Sequence, residues 1–285
     1  MSRFTALPVT AGVIALMAGA AWADCADDAA IAAFVADHLA KTPTVALVPE
    51  GTMEDARCTQ EKVVAALSAH LGPVVGYKAG LTSKPAQERF GVTEPVGGVL
   101  YRDMLLEDGA EVPAQFGAIP LFEADLILVV GDDAINAATT AEEAITHISA
   151  VRPFIELPDL TFKQGEPING VTLTAIGVAP RLGVMGAEIP VDDPAAMLQA
   201  LAAMQVTVRA ADGTVMAEAP GAAVLGNPVN SALWLISAGY MLKAGDLISV
   251  GSIGPLLPPA KAGGGASVSY DGLPGNPVVS VTFTD

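Results

Sequence analysis

The chain has 285 residues, 52% of them hydrophobic, and its 31 acidic against 14 basic side chains give a formal charge of −17. Length and apolar content suffice to bury a large core, which excludes a disordered chain. So acidic a composition offers no basic patch to displace counterions from a phosphate backbone, which excludes nucleic acid as a partner.

In chain order, Arg3 precedes the apolar run VTAGVIALMAGAA, and Ala21 and Ala23 place small residues where a signal peptidase reads them. Residues 1–23 are expected to be a secretory signal peptide, with Asp24 the first mature residue and a periplasmic or secreted destination. The run is shorter than the roughly 20 residues of a membrane span, so no anchor is expected after cleavage. The two cysteines, Cys25 and Cys58, lie just inside the mature chain. In an oxidising compartment a disulfide is expected between them, two unpaired buried thiols being the alternative.

Ile31, Phe34, Val35 and Leu39 fall on one helical face, and Val64, Leu67 and Leu71 repeat the pattern, giving an N-terminal helical segment over 24–72. From GPVVGYKAGLTS onward short apolar runs alternate with Gly and Pro, which predicts a mixed β domain over 73–285. Strands are expected at 126–130, 153–157, 205–210, 247–251 and 278–283. Thr140 and Glu143 form a capping box that predicts a helix to about Ala150. Asp193 before Pro194 caps another, and NSALWLISAGYML predicts a third that ends near Gly245. Strands outnumber helices without regular alternation, so the expected class is α+β with a rolled, mixed sheet.

The segment FEADLILVVG sets Glu123 and Asp125 on one face at the head of an otherwise apolar strand. Two like charges there require a shared proton, a basic partner or a cation, unless the strand entrance is simply solvated. Glu156 ends a second short apolar run, in RPFIELPD. If the two strands are neighbours, three carboxylates form an oxygen-only site suited to Mg²⁺ or Mn²⁺. His38 and His147 fall on expected helices and His70 at a helix end, as surface or capping residues.

VGYKAGLTS at 75–83, FEADL at 122–126, PFIEL at 153–157, AAVLGNPVNSALWL at 222–235 and LKAGDLISVGSIGP at 242–255 occur in sequence. Their order and spacing resemble the 2-keto-4-pentenoate hydratase branch of the fumarylacetoacetate hydrolase superfamily, over about residues 60–284. The resemblance implies the C-terminal-domain fold of that superfamily, a homo-oligomer, and a divalent-metal-dependent lyase of hydratase type acting on a small 2-oxo or 2-hydroxy-dienoic acid. It makes Glu123, Asp125 and Glu156 the metal ligands, with Asp125 one methylene shorter than the family's Glu. Lys78 becomes the catalytic and substrate-binding lysine, a structural ion pair with the acids being the other reading. Gly251 and Ser252 would offer a backbone donor and a hydroxyl to the substrate carboxylate. A 2-oxo acid decarboxylase of the same branch, or a secreted ligand-binding member without catalysis, are the alternatives. The family's carbon–carbon hydrolases use a His–Glu pair, and no His lies between His70 and His147. The chain also departs from the branch at Val96 and Gly97, at VTLTA (171–175), and at Asn227, where the branch carries polar or aromatic groups.

Overall fold

The computed structural model describes Met1 and residues 23–285, so the expected leader, Met1 and Ala23 apart, lies outside the described residues. Among the described residues no helix is long and apolar enough to cross a membrane.

Asp27 caps α1 (Asp28–Ala40), and a reciprocal box between Thr52 and Asp55 opens α2 (Met53–Leu71). The chain continues through β1 (Val74–Gly80), α3 (Lys84–Arg89), β2 (Val96–Tyr101), β3 (Leu105–Glu107), β4 (Ala110–Pro113) and β5 (Glu123–Val130). It goes on through α4 (Ala141–Ala144), β6 (Ile148–Leu157), α5 (Gly170–Ala175), β7 (Leu182–Met185), β8 (Ile189–Pro190), α6 (Pro194–Ala203), β9 (Gln205–Ala210) and β10 (Val215–Pro220). Last come α7 (Asn230–Ser237), β11 (Leu247–Ser249), β12 (Gly265–Asp271) and β13 (Val278–Thr284).

The strands form an eight-stranded sheet, ordered β2-β1-β11-β5-β6-β7-β3 with β8 on β6, and a five-stranded sheet, ordered β10-β9-β12-β13-β4. Both are mixed: β1 runs parallel to β11, β3 to β7 and β13 to β4, while the other pairs are antiparallel. Alternation along β5 splits its side chains between two cores. Ala124, Leu126, Leu128 and Val130 join the core shared with the second sheet, whereas Ile127 joins the one under α1, α2 and α5. Glu123 and Asp125 share the face of Ile127, at the start of β5.

Several expectations shift. The helix opened by Thr140 stops early: α4 gives way to one 3-10 turn ending at His147, and the strand expected at 153–157 already begins at Ile148. Every residue of β5 pairs with this longer strand, and ladder bonds outweigh the local helix signal there. The helix expected to reach Gly245 ends at Ser237, before Gly239 at φ +94°. On α1 the buried stripe is Ile31, Phe34, Val35 and His38, so His38 takes the i+7 place and Leu39 is 44% exposed. His38 is therefore not a surface residue; burial, with Arg181 beside it, lowers its pKa to about 4.

The mature N-terminal segment lies along α2. The Asp24 amide donates to Asp55 Oδ1 at 2.5 Å and the Ala26 amide to Thr59 Oγ1 at 2.9 Å, while Lys62 Nζ donates to the Ala26 carbonyl at 3.0 Å. Between them Cys25 and Cys58 face one another with Cα atoms 5.5 Å apart.

Candidate active site

The register of β5 on β6 sets Glu123 directly opposite Glu156 and Asp125 opposite Phe154. Directly opposed residues share a face, so the acids meet from two strands: one oxygen of each of Glu123, Asp125 and Glu156 lies within 4.8 Å of the others. All three are buried, at 6%, 0% and 1% exposure. The Tyr270 hydroxyl, reaching over from the second sheet, fixes this junction from behind. It donates to the Asp125 carbonyl at 2.5 Å and accepts from the Phe154 amide at 3.1 Å.

Asp125 is the most tightly held of the three. Its Oδ1 accepts from the amides of Leu126 at 2.6 Å and Gly251 at 3.0 Å, and its Oδ2 accepts from the Ser249 hydroxyl. Gly251 can do this because its backbone sits at φ +99°, where an added Cβ would meet Thr82 Oγ1 at 2.5 Å and the Ala79 carbonyl at 2.7 Å. Its N–H, expected to face a substrate carboxylate, is thus committed to Asp125, and the same turn ends β11 two residues earlier than expected.

Lys78, on β1 and 3% exposed, aims its ammonium at Glu156 Oε1 and at the Val178 carbonyl, 2.9 Å away. Val178 and Ala179 both have positive φ, +63° and +55°. A β-branched residue in that region is strained, and here the strain turns a carbonyl toward the lysine. Three carboxylates against one ammonium leave two negative charges when all are ionised, the charge of one divalent cation. Without one, burial, reinforced by Glu156 and Asp125, pushes the Glu123 carboxyl well above the usual range. Burial and then Glu156 raise Asp125 to about 7, against the hydrogen bonds it accepts.

A cavity of about 510 Å³ opens over Lys78, Glu123 and Glu156, with walls that include Phe90, Leu121, Leu160, Leu173 and Leu256. Asp125 lies behind its floor. Ser252 is on the wall beside Glu123, with its hydroxyl donating to the Gly254 carbonyl at 2.7 Å. Buried, oxygen-only and two charges short, the acid cluster fits a hard ion such as Mg²⁺ or Mn²⁺.

The three departures have structural uses. A side chain at Gly97 would collide with the Tyr240 ring, and neighbouring Val96 is 3% exposed. VTLTA lies in α5, where Thr172 closes a capping box with Asn169, Thr174 bonds the Gly170 carbonyl at 2.7 Å and Leu173 reaches the cavity. Asn227 shapes a turn, donating to the Leu198 carbonyl at 2.8 Å and accepting from the Val229 amide at 3.0 Å. Sequence reasoning passed over Ser249, Tyr270 and Val178. Ser249 carried a faint signal, a hydroxyl on an apolar strand just before a glycine turn; the others depend on tertiary contacts.

The model of the fumarylacetoacetate (FAA) hydrolase C-terminal domain matches residues 62–274. The chain belongs to the fumarylacetoacetate hydrolase family. Among relatives of this family member, a 2-keto-4-pentenoate hydratase of Burkholderia vietnamiensis is 33% identical over 217 residues, which cover 74% of this chain and 79% of that one. A 2-hydroxyhexa-2,4-dienoate hydratase of Comamonas testosteroni is 30% identical over 243 residues, 83% and 88% of the two chains. Among solved structures, the 4-oxalocrotonate decarboxylase from Pseudomonas putida G7, complexed with magnesium and adipate, superposes with a TM-score of 0.76. It covers 90% of this chain and 96% of its own at 23% identity, a likeness of fold.

Proposed function

We propose that this family member is a divalent-metal-dependent lyase of hydratase type acting on a small 2-oxo or 2-hydroxy-dienoic acid. One observation carries the reading: three buried carboxylates from paired strands, with one lysine among them, form the floor of a largely apolar cavity. Glu123, Asp125 and Glu156 would hold Mg²⁺ or Mn²⁺. When bound, such an ion supplies a Lewis acid for the carboxylate and keto oxygens of the acid and for the charge that gathers on the keto oxygen.

The chain's own residues divide the remaining work. Ser249, Gly251 and Tyr270 fix Asp125 and the β5–β6 junction, so the acids need little rearrangement to bind an ion. Lys78 spends two of its protons on Glu156 and the Val178 carbonyl, which leaves a third for the substrate carboxylate. The same ammonium lines the cavity, which gives it a role in protonating the dienol. Apolar walls limit the water beside the chain, and Ser252 offers a hydroxyl at the edge of the floor.

The test is to incubate the purified mature protein with Mg²⁺ or Mn²⁺ and 2-hydroxypenta-2,4-dienoate and follow loss of the dienol absorbance. Turnover that falls steeply in Glu123→Gln and Glu156→Gln is the expected result. Carbon dioxide release from a 2-oxo diacid instead would make the chain a decarboxylase of the branch. Metal binding without turnover over a substrate panel would make it a ligand-binding member.

We further infer that residues 1–23 are removed on export to the periplasm or beyond, and that Cys25 and Cys58 form a disulfide there. The leader pattern and the 5.5 Å Cα separation support this. Cleavage after Ala23 would turn the Asp24 nitrogen, 2.5 Å from Asp55 Oδ1, into an ammonium paired with a carboxylate that also caps α2. Intact-mass analysis of exported protein checks both points, with Asp24 as first residue and a mass two hydrogens below the dithiol. With a sequence separation of 33, loss of the bridge by Cys25→Ser costs roughly 3–4 kcal/mol at most in the loop-entropy model, read as a lower denaturation midpoint. The family resemblance supports a homo-oligomer, which light scattering on the eluting protein would measure.

A further inference from the structure

Gln60 interrupts the apolar stripe that α2 turns inward. Ala56, Val63 and Leu67 on that face are fully buried, and Gln60 among them is only 7% exposed. A carboxamide in such a place costs free energy unless its N–H groups find acceptors. They find two main-chain carbonyls: Nε2 donates to Gly97 at 2.7 Å and to Thr174 at 2.6 Å. The acceptors belong to different elements, Gly97 to β2 and Thr174 to the last turn of α5. One buried side chain thus ties a strand of the larger sheet to the end of a helix.

Both carbonyls flank Lys78. The residue after Gly97 is Gly98, which pairs with Lys78 across the β1–β2 ladder. A Cβ on Gly98 would collide with the Gly177 carbonyl and lie 3.2 Å from the lysine Cγ, so the lysine stem, β2 and the turn after α5 meet at one point. That turn is strained, with Gly177, Val178 and Ala179 at φ +77°, +63° and +55°, and such a backbone persists only where its surroundings fix it. The Thr174 carbonyl is one of the fixing points: it accepts the Gly177 amide at 3.0 Å as well as Gln60. One residue further on, the Val178 carbonyl accepts from the Lys78 ammonium at 2.9 Å.

We propose that Gln60 is a positioning residue for Lys78: by tying β2 to the end of α5 it holds the Val178 carbonyl where, with Glu156, it aims the ammonium at the cavity. The proposal rests on reading Lys78 as the reactive lysine of a hydratase-type site and adds what aims it. Thr59, one residue earlier on α2 and fully buried, offers the contrast of a plain structural tie. Its hydroxyl accepts from the Ala26 amide and joins α2 only to the N-terminal segment.

The test compares these two neighbours. Gln60→Met keeps the volume and removes both donors; Thr59→Val removes the acceptor for the Ala26 amide. The full mature proteins are assayed with Mn²⁺ and 2-hydroxypenta-2,4-dienoate, and their metal-free crystal structures are determined. Both substitutions should lower the denaturation midpoint. Only Gln60→Met should lower kcat, by about tenfold, the worth of one misdirected charge-assisted contact. KM and Mn²⁺ affinity should stay within about twofold of the unaltered chain, because the acids hold the ion and the ion holds the oxo acid, whereas proton delivery depends on where the lysine points. The crystal structure of Gln60→Met should show the 177–179 turn displaced and the Lys78–Val178 hydrogen bond broken, with the three acids in place. Gln60→Asn, an amide one methylene short, should give a smaller change of the same kind and serves if Gln60→Met folds poorly. An intact Lys78–Val178 bond in the Gln60 variants, an unchanged kcat, or an equal loss of kcat in Thr59→Val would overturn the proposal. Absence of turnover by the unaltered chain would overturn the hydratase reading instead, and the Lys78–Val178 bond in the crystal structures would still decide the role of Gln60.

Discussion

Glu156, near the end of β6, and Asp159, two residues past it, are both buried, and they are put to opposite uses. Asp159 is 2% exposed and accepts from the amides of Ala118 at 2.9 Å and Ile119 at 2.7 Å, one on each oxygen, which ties down the loop before β5. Glu156 is 1% exposed, has Lys78 on one oxygen, and faces two further carboxylates across a cavity floor. Burial alone therefore does not mark a site. What separates the two is whether the negative charge is balanced, at Asp159 by fixed backbone donors with Arg181 nearby, or left in excess beside open volume.

The comparison is open to breakage at both acids. The largest effect is expected at the floor, where Glu123→Gln or Glu156→Gln should lower turnover on the order of 10²–10³-fold, as for loss of a principal charge-stabilising group. Asp159→Asn should leave metal binding unchanged and lower stability by about 1–3 kcal/mol, because a buried carboxylate that accepts from two part-buried amides is replaced by a neutral amide with one acceptor oxygen; urea unfolding measures it. Next in size is Tyr270→Phe, which removes the hydroxyl between the Asp125 carbonyl and the Phe154 amide. It should reduce stability by about 1 kcal/mol and loosen metal affinity without abolishing it.

The smallest effect is a pH slope that belongs to the floor acids. In the metal-free protein the folded value of Asp125 is raised from 3.8 to about 7, and Glu123 moves in the same direction. The folded chain then keeps protons that the unfolded chain has released. Their contribution to stability is fully present below about pH 4 and is lost as pH rises through about 7, while buried His38, with its value lowered to about 4, contributes in the opposite sense. In thermal melts in chelator that contribution is worth a few degrees over the range, read as the difference between the unaltered chain and Asp125→Asn. Asp125→Asn should flatten the slope, and Asp159→Asn should not.

Much of this was legible in the residues. The aliphatic run behind Glu123 and Asp125 predicted β5, and the apolar run before Glu156 predicted its neighbour, because strand burial writes itself into local pattern. Pairing of those strands, and hence the meeting of the acids, was only a condition in the sequence; the register supplied it. Asp159 looked no different from Glu156, since the loop amides that satisfy it come from some forty positions earlier. Gly251 was placed near the site by the resemblance, as a donor to a substrate carboxylate, whereas the fold aims its amide at Asp125. His38 was misread because helical periodicity gives the buried position and says nothing about a polar residue that fills it.

The most direct measurement is Mn²⁺ binding, followed by electron paramagnetic resonance on the full mature chain and on Glu123→Gln, Glu156→Gln and Asp159→Asn. One tightly bound ion per chain is expected in the unaltered protein and in Asp159→Asn, with binding weakened about 100-fold or more in the other two. Undiminished binding in both glutamine variants, or equal loss in Asp159→Asn, would contradict the assignment of the charge excess, and not burial, as the mark of the site.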